Sequence, residues 1–298
     1  MRVLVTGGTG LIGRHVVGEL LAGGNAEVAV TTRDPARSDR WQGRVRLEQA
    51  FAGDALSLAK AMTGIDVVVH AIQFPNHPVE APSKGRTYLE VDGHGTEVAA
   101  QVARALGVRR FVYLSGAGAG EGRPEPWFRA KDQAEKAVRE SGMQYAILRH
   151  SWIYGPGDRS MSKFALFTRY LPFFPQIGDG QAPVYPTYVK DAARGVVGCV
   201  LREDAIDKVL NVGSTRMTMD EVVRTLQKVL RKRRPIVHHP KALMKLAAWP
   251  MRVLPSPPLS PDAVDFVTQV VEMDTKPAAA YLGFQPRGLE EGLRDYLL

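Results

Sequence analysis

The first thirteen residues constrain the fold of this chain more than any other stretch. A short apolar run, Val3 to Val5, predicts a buried strand, and the sequence Thr6-Gly-Gly-Thr-Gly-Leu-Ile-Gly13 follows it at once. Apolar residues then recur at helical spacing as far as Leu21. A strand, a glycine-rich turn and a helix in this order are typical of a turn that binds the diphosphate of a dinucleotide.

The glycines of this turn have separate expected roles. Gly7 permits the tight turn, Gly10 lets the backbone approach a diphosphate, and Gly13 lets helix and strand pack closely. The N–H groups and the dipole at the helix N-terminus favour an anion. The residues expected to contact the cofactor here are Gly7, Thr9, Gly10, Leu11, Ile12 and Gly13. A glycine turn without a ligand is the alternative, and the regular β-α-β-α pattern that follows argues against it.

The first half of the chain alternates between strand and helix patterns. The predicted strands are Val3–Thr6, Glu27–Thr32, Val45–Glu48, Asp66–Ala71, Arg109–Ser115 and Gln144–Arg149. The predicted helices are Leu11–Leu21, Ala55–Met62, Thr87–Leu106 and Phe128–Ser141. Short apolar strands that alternate with helices predict an α/β fold with a doubly wound parallel sheet of the Rossmann type.

The composition of the sequence changes after Arg149, where turn residues and aromatic residues become frequent. We assign residues 1–150 to the dinucleotide-binding domain, and we expect 188–212 to return to it as a helix and a strand. Residues 151–187 and 213–298 are predicted to form a smaller substrate-side lobe. Because ligands of parallel sheets bind outside the carboxyl ends of the strands, the site is expected there.

A set of motifs along the chain resembles the extended and atypical short-chain dehydrogenase/reductases, which are similar to NAD-dependent epimerases and dehydratases. The motifs are Thr6–Gly13, Gly53-Asp54, Asp66–Ala71, Gly95-Thr96, Phe111–Ser115, Lys131 and Leu148-Arg149 with Tyr154–Gly157. The chain most closely resembles the branch of complex I accessory-subunit-like proteins and their bacterial relatives. This resemblance implies that Asp54 lies near the adenine and that Ala71 and Ile72 lie along the ribose of the nicotinamide.

The end of the second strand bears on the choice of cofactor. In a Rossmann unit an acidic residue there reads the ribose of NAD, whereas an arginine accommodates the 2′-phosphate of NADP. Here the strand ends with Arg33 and Asp34, and Arg37 follows. We predict that Arg33 binds the 2′-phosphate and that the cofactor is NADP, with NAD as the alternative. The alternative interpretation is that Arg33 and Asp34 are solvated turn residues that bind no ligand.

The resemblance also implies an active site with a Tyr-x-x-x-Lys pair on one helix and an upstream serine. In this chain Ser115 and Lys131 are present as the expected catalytic and nicotinamide-binding residues, but Trp127 takes the place of the tyrosine. An indole N–H donates a hydrogen bond and cannot transfer a proton near neutral pH. Asp92 also stands where relatives commonly carry asparagine. The proton chemistry must therefore differ from that of ordinary members.

Three interpretations of Trp127 remain open. It can be the floor of a pocket in a protein that binds cofactor without turnover. Another phenol, Tyr154 or Tyr88, can supply the proton. Hydride can also pass to a carbon centre while water or the substrate supplies the proton. We expect Trp127, His150, Trp152 and Tyr154 to line the substrate pocket. The spacing of potential metal ligands suggests no metal site.

The net charge of +8 is localised in one late segment. From Val222 to Pro261 there is no acidic residue and there are nine basic ones, whereas the rest of the chain is balanced. The part from 224 to 252 is predicted to be either an exposed basic loop and a pocket-covering helix, or a contact for a membrane surface or a protein complex. Nucleic acid is not expected as a partner, because no recognised binding motif accompanies the charge.

The sequence thus predicts an NADP-preferring oxidoreductase of the atypical short-chain dehydrogenase class that acts on an apolar small molecule with a non-standard proton donor. The alternative is an inactive cofactor-binding structural or sensor subunit that docks to a complex or a membrane. The single cysteine, Cys199, and the lack of a long apolar run favour a cytoplasmic location, with attachment to a membrane surface as the variant.

Overall fold

The computed structural model describes residues 1–37, 40–41, 43–75, 79–253, 259–283 and 285–298. The strands are β1 (Arg2–Thr6), β2 (Glu27–Thr32), β3 (Arg46–Gln49), β4 (Val67–His70), β5 (Arg110–Gly116), β6 (Gln144–His150), β7 (Trp152–Tyr154), β8 (Phe174–Ile177), β9 (Pro183–Val184), β10 (Pro186–Tyr188), β11 (Lys208–Val212), β12 (Met217–Thr218) and β13 (Ile236–His239). The helices are α1 (Leu11–Gly23), α2 (Ala55–Met62), α3 (Gly95–Ala105), α4 (Pro126–Glu140), α5 (Ser160–Tyr170), α6 (Val189–Leu201), α7 (Met219–Val229), α8 (Lys241–Ala248), α9 (Pro261–Val267), α10 (Lys276–Leu282) and α11 (Leu289–Leu297).

A seven-stranded sheet with the order β11-β6-β5-β4-β1-β2-β3 forms the centre of the fold, and its neighbouring strands are all parallel. The chain runs outward from β1 to β3 and then returns to place β4 on the other side of β1. The order therefore reverses between β1 and β4, which is the switch point where ligands of such sheets bind. The predicted doubly wound Rossmann fold is confirmed.

Both faces of the sheet are covered, which is why its central strands are continuous apolar runs. On one face α1 and α6 pack on residues such as Val3, Val5 and Val69. On the other face α2, α3 and α4 pack on Leu4 and Phe111 among others. A single helix was predicted from Thr87 to Leu106, but a π-helical segment, Leu89–His94, precedes α3.

The C-terminal residues divide between two cores. Tyr154, Tyr188 and residues of α5, α7 and α11 form a separate cluster. Helix α10 instead belongs to the sheet, because Leu282 packs into the core below α6 and lies against Gly195. Within the predicted lobe 213–298, the apolar side of α10 thus contacts the dinucleotide-binding part, and the division of the chain into two domains stays a prediction.

A buried arginine connects the sheet to the end of α6. Arg110, at the amino end of β5, is fully buried and donates to the carbonyl oxygens of Cys199 and Val200 at 3.2 and 2.8 Å. It also donates to the carboxylate of Glu203 at 2.8 Å. The last carbonyls of a helix have no partner within the helix and carry the negative end of its dipole. Arg110 thus satisfies the C-terminus of α6 from within the sheet.

We expect Arg110→Met to lower the free energy of unfolding by about 3 to 5 kcal/mol, because it leaves buried carbonyl groups without a donor. The matched control is Arg109→Met. The side chain of Arg109 is 52% exposed and lies 3.7 Å from the same Glu203, so its loss should cost less than about 1 kcal/mol. Denaturant titration of the two variants measures the difference, and equal losses would contradict this role of Arg110.

Candidate functional site

The glycine turn between β1 and α1 has a geometry that only glycine permits at two positions. Gly7 has a positive φ of +67°, and a Cβ there would lie 2.8 Å from the carbonyl oxygen of Ala71. A Cβ on Gly13 would collide with the carbonyl oxygen of Gly7. The N-cap residue Gly10 has no side-chain cap, and the first turn of α1 carries no acidic residue. These features fit a diphosphate at this helix N-terminus.

Around this turn, the structure brings together several of the predicted cofactor residues. Thr9, Leu11 and Ile12 are partly accessible, and Gly10 is exposed. The end of β4 lies directly beside the turn, because the N–H of Ala71 donates to the carbonyl of Thr6 at 3.1 Å. Ala71 and Ile72 are half-buried there. Backbone N–H groups and a partly open edge are thus available next to the switch point.

At the end of β2, the side chains of the two threonines and of Arg33 differ in how available they are to a ligand. The hydroxyl of Thr31 is buried and accepts from the N–H of Gly7 at 3.2 Å, so it holds the glycine turn. Thr32 accepts from the N–H of Asp34 at 3.2 Å. The side chain of Arg33 is exposed and forms no ion pair with the rest of the described chain. The side chain of Arg37 lies outside the described residues.

Asp54, which the resemblance places near the adenine, has a structural role in this fold. Its carboxylate accepts from the N–H of Leu56 at 3.2 Å and caps α2. The preceding Gly53 has a positive φ of +77°. The side chain of Asp54 is exposed, so capping leaves it accessible at the same edge of the sheet.

Lys131 lies on α4 and is buried in an ion pair with Asp92. The ammonium is 2.8 Å from the carboxylate and 3.3 Å from the hydroxyl of Tyr113, to which it donates. Burial alone would lower the pKa of Lys131, but the negative charge of Asp92 and the contact with Tyr113 raise it above its ordinary value. Lys131 is therefore a fixed cation. Tyr113 is itself fully buried, and burial raises the pKa of its phenol.

Ser115 does not present a hydroxyl for substrate. It donates its only proton to the carboxylate of Glu135 at 2.6 Å, and Glu135 is in turn bound by Arg149 through two contacts of 2.8 and 2.6 Å. A serine whose proton is used in this way cannot orient a carbonyl by donation. The expected role of Ser115 therefore does not fit this arrangement. Glu135 was missed from the sequence, although it lies four residues after Lys131 on the same helix face.

Trp127 is one turn before Lys131 and packs over the end of β5. Its six-membered ring occupies the space that a side chain on Gly116 would need, so Gly116 is required by the tryptophan. The ring also contacts Phe128 and Phe266 edge to face, with centroids 4.8 and 5.7 Å apart. The indole nitrogen is buried and has no hydrogen-bond partner among the described residues.

The other predicted pocket residues have different surroundings. His150 ends β6, is buried, and both ring nitrogens are without a partner within the described part of the chain. Trp152 is half-buried, and its indole donates to Ser160 at 2.9 Å. Tyr154 is fully buried, and its hydroxyl donates to the carbonyl of Leu289 at 3.4 Å.

Two phenols considered as proton donors are thus placed inside the protein. The hydroxyl of Tyr154 is already used by the carbonyl of Leu289 and its ring packs in the cluster with Tyr188, so the expectation for Tyr154 does not fit this arrangement, and burial raises the pKa of its hydroxyl. Tyr88 is also buried and packs edge to face on Phe74 with a centroid distance of 5.0 Å. Neither phenol lies at hydrogen-bond distance from Lys131 in the structure.

The sheet, its switch point and the glycine turn together define a Rossmann-type dinucleotide-binding protein. A family model described as NAD(P)H-binding matches residues 7–165, just over half of the 298 residues. The chain therefore belongs to this NAD(P)H-binding family.

Two curated relatives give more detail. The mitochondrial NADH dehydrogenase [ubiquinone] 1 alpha subcomplex subunit 9 of Arabidopsis thaliana is 27% identical over 256 residues, which cover 83% of this chain and 62% of the relative. Ceramide reductase of Caulobacter vibrioides is 31% identical over 199 residues, which cover 65% of this chain and 59% of the relative. The chain thus spans about three fifths of each relative. The resemblance to atypical short-chain dehydrogenase/reductases and to complex I accessory subunits is confirmed.

A solved structure matches along the whole chain. It is DesIV, a dTDP-glucose 4,6-dehydratase from Streptomyces venezuelae with NAD and TYD bound. The TM-score is 0.77 at 22% identity, and the match covers 100% of this chain and 96% of that one. At this identity the likeness establishes the fold alone.

Two histidines near the site are expected to make the protein sensitive to acid. Burial, and for His70 also the charge of Lys131, lowers the pKa of His70 to about 3, and burial lowers the pKa of His150 to about 4. An unfolded histidine titrates near pH 6.5. Each therefore contributes stability that is present above pH 6.5 and is lost as the pH falls towards the folded-state pKa.

We expect the free energy of unfolding to fall between pH 7 and pH 5 by about 2 kcal/mol more in the wild type than in His150→Gln, which cannot titrate there. Denaturant titrations at both pH values measure this difference. Between pH 7 and pH 8 the two proteins should show the same pH dependence, which is the control. An equal fall from pH 7 to pH 5 would mean that His150 is not held neutral by burial.

Proposed function

We propose that the protein is a reductase that prefers NADPH and transfers hydride to an apolar carbonyl compound without a tyrosine as proton donor. The observation that carries this proposal is Trp127 beside a lysine that is already paired with Asp92. The bound cofactor supplies the hydride. The chain binds the cofactor, excludes water around Trp127 and holds the substrate. The ceramide reductase among its relatives supports a reductase with an apolar substrate.

The preference for NADPH rests on Arg33. Its guanidinium is exposed at the carboxyl end of β2, where a Rossmann protein reads the adenosine ribose. It has no ion pair within the described residues, so it is available to a phosphate. Arginine and phosphate form charge-assisted, often bidentate hydrogen bonds. The strand itself ends without a carboxylate, because β2 ends at Thr32 and Asp34 lies two residues beyond it.

We expect Arg33→Ala to weaken NADPH binding about tenfold or more, because one or two charge-assisted hydrogen bonds are lost, and to leave NADH binding unchanged. Calorimetric titration with both cofactors measures this, after carried-over nucleotide has been removed. Arg109→Ala is the control, because it removes an equal charge at the amino end of β5. Equal affinity of the wild type for NADH and NADPH would overturn the preference and leave cofactor binding intact.

The proton chemistry follows from the fixed state of Lys131. In a Tyr-x-x-x-Lys pair the ammonium lowers the pKa of the phenol, which then exchanges a proton with the substrate. Here the ammonium is neutralised by Asp92 at 2.8 Å, and the phenol that it contacts is the fully buried Tyr113. Hydride transfer to a conjugated carbonyl compound does not require a proton donor from the protein. The resulting enolate is a weaker base than an alkoxide, and water can protonate it.

We expect the wild type to oxidise NADPH with conjugated enones and to leave plain ketones unreduced. Trp127→Tyr should gain plain-ketone reduction by at least about tenfold over Trp127→Phe, since general acid catalysis contributes about 100-fold or more. The loss of NADPH absorbance measures the rates, and Trp127→Phe controls for changed packing. If none of the three proteins turns over any carbonyl compound while NADPH binding is intact, the reductase proposal fails.

That outcome would favour the second candidate, a cofactor-binding subunit that docks through residues 224–252. Part of the basic charge of this segment is neutralised by acidic residues that lie outside it, because Lys228 pairs with Glu290 and Lys245 with Asp265. Arg231, Lys232 and Arg233 are exposed and form no ion pair among the described residues, and the side chain of the half-buried Arg234 donates only to the carbonyl of Thr168 at 3.5 Å within that part of the chain. Leu246 and Trp249 are 71% and 64% exposed on and beside α8. The side chain of Arg252, at the end of the segment, lies outside the described residues.

An exposed apolar helix face near basic residues fits a membrane surface or a protein complex. None of the helices within the described ranges is long and apolar enough to cross a membrane. The named relative that is a subunit of NADH dehydrogenase supports association with a complex. For the reductase, a cytoplasmic location stays the prediction, and for the docking subunit a location at a membrane surface.

A further inference from the structure

Three neighbouring strand ends carry buried polar atoms without a partner within the part of the chain that the structure describes. These atoms are the indole nitrogen of Trp127 over the end of β5, both ring nitrogens of His150 at the end of β6, and the hydroxyl of Ser214 just beyond β11. His150 is only 5% exposed and Ser214 only 6%. Buried polar groups are nearly always hydrogen-bonded in native proteins, so a group of them at a ligand-binding edge indicates a ligand.

The side chains of Trp127 and His150 share one face of the sheet. Gly116 and His150 are opposite each other in the parallel pairing of β5 and β6, so their Cβ directions point to the same side. A Cβ on Gly116 would meet the six-membered ring of Trp127. The indole of Trp127 therefore lies on the side to which His150 points. Neither residue has a competing bond within the described residues, in contrast to Ser115 and Lys131.

The surroundings of this pair are apolar. Trp127 packs against two clusters, one with Ala117, Phe128, Tyr185, Val271 and Met273 and the other with Phe74, Tyr88 and Ala130. A ligand that reaches Trp127 therefore meets aromatic and aliphatic side chains, and the pair supplies the polar contacts. This is the usual design of a small-molecule site: an apolar lining with few polar groups that set the orientation.

We propose that Trp127 and His150 form a two-donor receiver for a single oxygen of the substrate, the carbonyl oxygen of an otherwise apolar molecule. The receiver binds the oxygen by hydrogen bonds from the indole N–H and from one imidazole N–H, and it transfers no proton. Two fixed neutral donors in a site that excludes water stabilise negative charge that develops on the oxygen during hydride transfer. This inference deepens the proposed reductase function and rests on it.

The protonation state of His150 suits this role. Burial holds its pKa near 4, so the ring is neutral at physiological pH and carries one N–H donor and one acceptor nitrogen. A neutral imidazole can polarise a carbonyl by hydrogen bonding through its N–H, and it does not have to be protonated to do so. The groups near the pair on its own face are mainly apolar, since Leu148 and Val212 continue that face of β6 and β11.

The test uses two ligands of matched shape, 4-phenyl-2-butanone and butylbenzene, which differ in the carbonyl group. Both are titrated into the full chain loaded with NADP⁺, and NMR follows the indole N–H signals and the histidine ring nitrogens. The chain has four tryptophans, and Trp127→Phe assigns the relevant indole signal. We expect the ketone to shift the signals of Trp127 and His150 while butylbenzene leaves them in place. The indole signal of Trp41, which lies in the core of the sheet, should not move.

Variants then separate the receiver from a packing role. Trp127→Phe and His150→Phe should each weaken ketone binding about five- to tenfold, the value of one hydrogen bond, and leave butylbenzene binding unchanged. His150→Gln keeps a donor and should recover part of the loss. Trp41→Phe is the matched control, because Trp41 is a buried tryptophan in the core of the sheet and belongs to none of the residues assigned to the site, and it should bind both ligands as the wild type does.

The receiver is overturned if ketone and hydrocarbon bind equally, if neither binds, or if each variant weakens both ligands to the same extent. The binding of NADP⁺ is measured in the same samples, so that failure of cofactor binding is seen separately. If the cofactor does not bind, the titrations are repeated without it. The preference for the ketone, and the loss of that preference in the variants, then test the receiver independently of the cofactor.

Discussion

A fully buried ammonium and a fully buried carboxylate, those of Lys131 and Asp92, connect three segments at the carboxyl edge of the sheet. Lys131 belongs to α4 and Asp92 to the π-helical segment before α3. The second oxygen of Asp92 accepts from the N–H of Phe74 at 2.8 Å, in the loop after β4. Removing one charge of such a pair leaves the other uncompensated in the interior, which typically costs about 3 to 5 kcal/mol. The position of the loop beside the glycine turn therefore depends on this pair.

The same face of α4 decides what chemistry the edge can perform. Trp127, Lys131 and Glu135 lie one turn apart and contact Gly116, Asp92 and Ser115 in that order. Lysine and serine are thus satisfied inside the protein, and the indole is not. A site with its ordinary acid–base groups paired internally favours hydrogen bonding to the ligand over proton transfer from the protein. The π-helical segment is consistent with this, since such insertions in helices often occur at functional sites.

Much of the fold was predictable from the sequence. The bounds of β2 and α2 agree with the prediction residue by residue, because buried parallel strands are continuous apolar runs and their helices keep a regular period. The glycine turn was equally accessible, because its positive φ and its close contacts are properties of a few consecutive residues. The predicted helix Thr87–Leu106 lacked the π-helical segment, since apolar spacing does not report one extra residue in a turn. The core against which α10 packs could not be predicted, because an apolar helix face does not say which partner covers it.

The sequence by itself determined the class of fold, the diphosphate-binding turn and the presence of Trp127 in place of a tyrosine. All three depend on residue types and spacings within short stretches of chain. Only the tertiary structure decided which polar groups remain available to a ligand. Ser115 is used by Glu135 and Lys131 by Asp92, whereas Trp127 and His150 have no partner among the described residues. Availability depends on burial and on the groups that packing brings near, and these come from parts of the chain that are far apart in sequence.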